Sequence, residues 1–152
     1  MKLAQLIGLL TAALAITQTD SFAFQTPKEP SGGQAKTEQT QKVEFIAAEE
    51  LKTRIANKSP VTIVDVRGPS VYAQADKTVQ GAIHTKVRRV VYRLRDVSRD
   101  TEVVTYCACP ADEAAIIAAR SLMASGFKNV RVLKGGWTAW LAADGQLLPR
   151  PK

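Results

Sequence analysis

The 152 residues of this chain carry a net charge of +7 and only two cysteines. With an N-terminal segment unsuited to a core set aside, about 105 residues remain, enough for one hydrophobic domain that needs no disulfide staples. The positive charge gathers in Lys86, Arg88, Arg89, Arg93 and Arg95 with Tyr92 as the only aromatic among them, which argues against nucleic acid as a partner. The same cluster reads as a solvated basic face, or as a funnel for a small anion or an acidic partner.

Met1, Lys2 and the apolar run 3–17, followed by the small residues Ser21 and Ala23, predict a signal peptide over 1–23 and a mature chain starting near Phe24. About fifteen mostly apolar residues are short for a membrane span, so the expectation is an exported protein, periplasmic or secreted, with no stable membrane insertion after cleavage. Residues 24–42 are rich in Pro, Gly, Gln, Thr and Lys and predict a flexible linker. The domain is expected over 43–148, as a monomer, with 149–152 as a tail.

Within the domain, 43–46 predicts a short strand, and the apolar spacing of 47, 48, 51 and 55 predicts a helix over 47–56. The β-branched run Val61 to Val66 predicts a central parallel strand covered on both faces. Pro69 opens a short helical turn through Ala75. Residues 79–83 predict another short strand, and Val90, Val91 and Leu94 give a weak helical period. A strand over 102–106 leads to Cys107, a helix runs from Asp112 to Ser125 and stops at Gly126, and a last strand and helix occupy 130–133 and 137–143 around the turn Gly135-Gly136. Strands alternating with helices at this spacing predict an α/β fold with a mostly parallel sheet.

Both cysteines fall in one turn, Cys107-Ala108-Cys109-Pro110, between a strand and a helix, the place from which open α/β folds usually work. A bond between residues two apart would close a trivial loop and add little stability, so thiol chemistry or a metal is the better use for them. A thiol that acts as a nucleophile must be a thiolate, with its pKa below the usual value near 8.5. A helix N-terminus favours that charge, and the amides of residues 108–113 could cradle a thiolate.

The segments Ile63-Val64-Asp65-Val66-Arg67, Gly81-Ala82-Ile83-His84, Val104-Thr105-Tyr106-Cys107, Gly126-Phe127-Lys128-Asn129-Val130 and Leu133-Lys134-Gly135-Gly136-Trp137, in this order and with Trp140 beyond, resemble a single rhodanese domain. The resemblance spans about 43–143. It implies a five-stranded, mostly parallel sheet flanked by helices on both faces, with Cys107 accepting a sulfane sulfur and carrying it as a persulfide. Its implied partners are a small sulfur donor and a thiol acceptor or acceptor protein, with no cofactor.

The active loop, Ala108, Cys109, Pro110, Ala111, Asp112 and Glu113, departs from the family pattern, in which a Gly-containing loop often ends in Arg-Ser. An arginine there would bind an anionic donor such as thiosulfate, whereas Asp112 and Glu113 should repel it. They also suit a helix N-terminus. Family members often carry a glutamate, which can pair with the arginine matching Arg67, where this chain has Val71. Arg67 is therefore expected to pair with Asp112 or Glu113, and a charge swap between Arg67 and Glu113 is expected to restore what the single changes lose.

Cys109 reads as a plain loop residue, as a resolving thiol for Cys107, or as a soft-metal ligand with Cys107 and His84. One histidine and one cysteine pair do not complete a tetrahedral set, so no metal is expected. His84 reads first as a satisfied loop residue near the site, Asp65 as a structural acceptor for backbone or arginine donors, and Trp137, Trp140 and Leu141 as core. Three functions fit: a sulfurtransferase or persulfide carrier, a noncatalytic module presenting the basic 86–95 segment, and a Cys107/Cys109 redox protein. Phosphatase chemistry is disfavoured because Glu113 stands where its phosphate cradle needs an arginine.

Overall fold

The computed structural model describes residues 42–151. The signal peptide expected over 1–23, and all of the 24–42 linker but Lys42, lie outside the described residues.

A five-stranded parallel sheet organises the domain. Its strands are β1 (Glu44–Ile46), β2 (Val61–Asp65), β4 (Ile83–His84), β5 (Glu102–Tyr106) and β6 (Val130–Leu133), in the spatial order β1-β6-β5-β2-β4. Parallel strands need crossovers, and these run through α1 (Ala48–Ala56), α2 (Pro69–Gln74), α3 (Val90–Arg93) and α4 (Glu113–Ala124), while α5 (Gly136–Ala142) follows the last parallel strand. The β-branched strands β2 and β5 lie side by side with Asp65 opposite Tyr106, and both faces of the sheet are covered.

Alternation along each strand divides the core in two. Val64, Val103, Cys107 and Val132 face one layer with Val90, Leu94, Ala118, Ala119 and Leu122. Ile63, Val104, Tyr106 and Leu133 face the other with Leu51 and Trp140. The side of α4 that packs on the sheet is built from alanines, Ala115, Ala118 and Ala119, all fully buried, which lets its backbone lie close to β5. The Thr105 hydroxyl donates to the Ala115 carbonyl at 2.9 Å and pins the start of α4 to the strand that carries the cysteine.

Two expectations change. The strand expected over 79–83 is split: β3 (Lys77–Val79) ends before Gly81, whose φ of +75° turns the chain, and β4 begins at Ile83. β3 leaves the main sheet and pairs antiparallel with β7 (Leu147–Pro149), so Pro149 sits opposite Lys77 rather than in a tail. The Arg150 amide continues this pairing by donating to the Asp76 carbonyl at 2.8 Å.

Candidate active site

Cys107 follows the last residue of β5, and strand alternation directs its side chain toward α4, where it is 1% exposed. Its carbonyl points the other way and accepts the Trp137 amide at 2.8 Å. Gly136 has φ +47°, and a Cβ there would collide with the Cys107 carbonyl oxygen, so the close approach of these two turns requires glycine. The turn expected at Gly135-Gly136 is present, and it packs beside the active loop.

The loop after Cys107 is a 3₁₀ turn over Pro110–Asp112, in which Ala111 and Asp112 both adopt the left-handed conformation at φ 54° and 55°. Two consecutive non-glycine residues in this region carry local strain. Asp112 is 7% exposed, and its Oδ2 accepts the Gly135 amide at 2.8 Å. Its carboxylate thus clamps the active loop to the glycine turn, while Glu113 stays exposed in the first turn of α4.

The two sulfurs, Cys107 Sγ and Cys109 Sγ, are joined as a disulfide. The Cys109 amide points at Cys107 Sγ and the Ala114 amide at Cys109 Sγ, each at 3.4 Å. Loop amides do face sulfur, as expected, but the amide at the start of α4 serves Cys109 rather than Cys107. A pocket of about 100 Å³ opens beside the pair, lined by Val66, Gly68, Val71, Ala108 and Ala114 together with the cysteines. No cationic side chain lines it. A far larger open groove, about 1320 Å³, lies at the opposite ends of β5 and β6, where Arg54, Glu102 and Arg131 are paired among themselves.

Behind the cysteine loop lies a buried polar network. Asp65 is fully buried and accepts the Arg67 amide and Nε at 3.0 Å, Arg67 Nη2 at 2.6 Å and the Tyr106 hydroxyl at 2.7 Å. Arg67, 2% exposed, stacks its guanidinium 4.1 Å from the Trp137 ring, with Tyr72 and Tyr106 at 5.3 and 5.8 Å. Burial disfavours the Arg67 charge, but the hydrogen bonds and charge of Asp65 more than offset this and hold its pKa above the ordinary value. Burial first, then the negative charge of Asp65, pushes the Tyr106 phenol up.

The partner expected for Arg67 was therefore wrong. It is Asp65, because residues two apart in extended chain share a face, and neither Asp112 nor Glu113 pairs with it. Arg67 Nη1 is a buried donor without a partner among the described residues. Asp65 is the structural acceptor its position suggested. His84 donates from Nε2 to the Arg67 carbonyl at 3.1 Å and stacks on Tyr72 at 3.5 Å, which makes it a brace for this network. Among the described residues no three His, Cys, Asp or Glu side chains converge as metal ligands.

Sequence reasoning left Trp137 as core and gave no role to Tyr72 or Thr78. Trp137 covers Arg67 and anchors Cys107 through its amide, a role its place directly after Gly135-Gly136 could have signalled. The Thr78 hydroxyl reaches Asp65 at 3.2 Å from β3, a contact with no trace in local sequence.

The Rhodanese-like domain family matches this chain over residues 47–143. The chain belongs to the rhodanese-like family. A sulfurtransferase from Allochromatium vinosum is 32% identical over 98 residues, which is 64% of this chain and 88% of that protein. YrkF of Bacillus subtilis, provisionally named a sulfur carrier protein, is 26% identical over 109 residues, 72% of this chain and 57% of YrkF. The crystal structure of Alr3790 from Anabaena sp. superposes with a TM-score of 0.62 at 31% identity, covering 69% of this chain and 82% of that one. This rhodanese-like domain therefore carries Cys107 at the carboxyl end of a central strand, the customary ligand edge of an open α/β sheet.

Proposed function

We propose that this rhodanese-like protein is an exported sulfurtransferase or persulfide carrier working through Cys107. The observation that carries the reading is the placement of Cys107 at the end of β5, between the start of α4 and the glycine turn, with a loop amide aimed at its sulfur. The sulfurtransferase and sulfur carrier among its relatives support it.

The disulfide must first be reduced, because Cys107 Sγ is engaged in it. The Cys107 thiolate then attacks the outer sulfur of a donor of the form R–S–S⁻. A new S–S bond forms on Cys107, the donor's S–S bond breaks, and R–S⁻ leaves with the electron pair. An acceptor thiolate attacks the outer sulfur of the persulfide and releases the Cys107 thiolate. The apolar pocket without a cation favours a thiol-bound persulfide, singly charged at its sulfur, over thiosulfate, whose two charges have no counter-ion there. The segment 1–23 supports export, and a disulfide in the active loop suits an oxidising compartment.

The reduced full chain should move sulfur from a thiol-bound persulfide to a small thiol acceptor, more slowly from thiosulfate, and not at all as Cys107→Ala. Equal rates for wild type and Cys107→Ala would sink the reading. A binding module is the second reading, favoured by the exposed Lys86, Arg88, Arg89 and Arg93, none of which makes an ion pair among the described residues. Saturable binding of an acidic peptide by a chain inert to every sulfur donor would favour it.

A further inference from the structure

The active loop holds a second sulfur that simple transfer does not need. Cys109 is half-buried, and its Sγ is bonded to Cys107 Sγ, so no rearrangement separates the two reacting atoms. The Ala114 amide at the start of the twelve-residue helix α4 donates to Cys109 Sγ at 3.4 Å. An amide and the positive end of a helix dipole both stabilise a thiolate. The sulfur they serve is Cys109. Glu113 is the acidic side chain on the first turn of α4, and it points to solvent; the other carboxylate of the loop, Asp112, accepts the Gly135 amide.

Resting on the persulfide reading above, we infer that Cys109 is a resolving nucleophile that converts the Cys107 persulfide into hydrogen sulfide before an outside thiol collects the sulfur. The Cys109 thiolate attacks Cys107 Sγ, the inner sulfur of Cys107–S–SH. The Cys109–Cys107 bond forms, the bond from Cys107 Sγ to the outer sulfur breaks, and HS⁻ departs with the electron pair and the persulfide's own proton. The sulfane sulfur is reduced to sulfide, and the two cysteine thiolates are oxidised together to the disulfide seen in the structure. An external dithiol returns the pair to the reduced state by thiol–disulfide exchange. The net activity is dithiol-dependent reduction of sulfane sulfur to sulfide, with Cys107 as acceptor and Cys109 as reductant.

This reaction separates cleanly from simple carriage. An outside thiol attacks the outer sulfur and takes it away as a new persulfide, whereas Cys109 attacks the inner sulfur and leaves sulfide. Intramolecular attack has the advantage of proximity, so sulfide release should outpace the background hydrolysis of a stranded persulfide.

The test is a single turnover. Full-length chain, reduced and freed of reductant, is mixed with an equimolar thiol-bound persulfide, and free sulfide and intact mass are followed together. Wild type should release close to one sulfide per chain and end two hydrogens lighter. Cys109→Ser and Cys109→Ala should keep one added sulfur atom and release at least about tenfold less sulfide over the same interval. Cys107→Ser should do neither. Wild type that retains its added sulfur as long as the Cys109 variants overturns the inference and leaves the persulfide reading intact. Failure of wild type and both Cys109 variants to gain or release sulfur overturns the persulfide reading itself, and the inference with it. Sulfide release by Cys107→Ser at the wild-type rate assigns the chemistry to Cys109 alone and overturns both.

Discussion

Replacing Asp65 with Asn should be among the most damaging single changes in the domain. Asp65 is fully buried and, among the described residues, is the sole carboxylate on Arg67, whose guanidinium is itself buried with one donor, Nη1, without a partner there. Removing one charge from a buried pair leaves the other uncompensated and costs about 3–5 kcal/mol, against a total stability of about 5–15 kcal/mol for an ordinary domain. For a domain of about 100 residues that lowers the melting midpoint by roughly 20 °C. Arg67→Met should cost about 3 kcal/mol, because the stranded carboxylate still receives the Tyr106 and Thr78 hydroxyls. Combined, the two changes remove both charges, and the pair should show a coupling of about 2 kcal/mol or more. Urea unfolding followed by the fluorescence of Trp137 and Trp140 measures each corner of the cycle. A companion cycle of Arg67→Met with Glu113→Gln should be additive within about 0.5 kcal/mol. The account of this network is refuted by additivity at Asp65, or by coupling at Glu113 as large as at Asp65.

Gly136→Ala should cost about 3 kcal/mol and depress sulfur transfer, since the new methyl group meets the Cys107 carbonyl at a left-handed backbone position; thermal melts and the transfer assay both read it. Ala111→Gly should raise stability by about 1 kcal/mol by relieving the left-handed alanine, while Ala111→Val should lower it, as read by urea midpoints. The Tyr106 phenol is held above its ordinary value near 10, so the unfolded chain gives up this proton at lower pH than the folded one. Its contribution is complete below about pH 10 and is lost as pH rises beyond that, a decline that Tyr106→Phe should flatten in alkaline unfolding curves.

The main strands were legible because β2 and β5 are β-branched runs, and the turn after β5 drew attention because it holds both cysteines. β7 was missed: three residues ending in proline carry almost no local signal, and their strand character comes from pairing with β3. Cys107, Asp65, Arg67 and His84 do gather around one edge of the sheet, yet the partner of Arg67 was misassigned by weighing charge over geometry. Period-two alternation places Asp65 and Arg67 on the same face, and the β2–β5 register then brings Tyr106 to them. Asp112 reads from the sequence as an acid that repels anionic donors or suits a helix N-terminus; its buried bond to the Gly135 amide depends on a contact across 23 residues, which local sequence does not disclose.

The central claim is that Cys107 carries sulfur. It is tested most directly by the intact mass and cysteine-peptide mass of the reduced Cys109→Ser chain after exposure to polysulfide, when no neighbouring thiol can discharge the adduct. The account predicts one added sulfur atom on the peptide containing Cys107, removed by a thiol acceptor and absent from Cys107→Ala. No adduct with any sulfane donor, or an adduct that persists in Cys107→Ala, would contradict it.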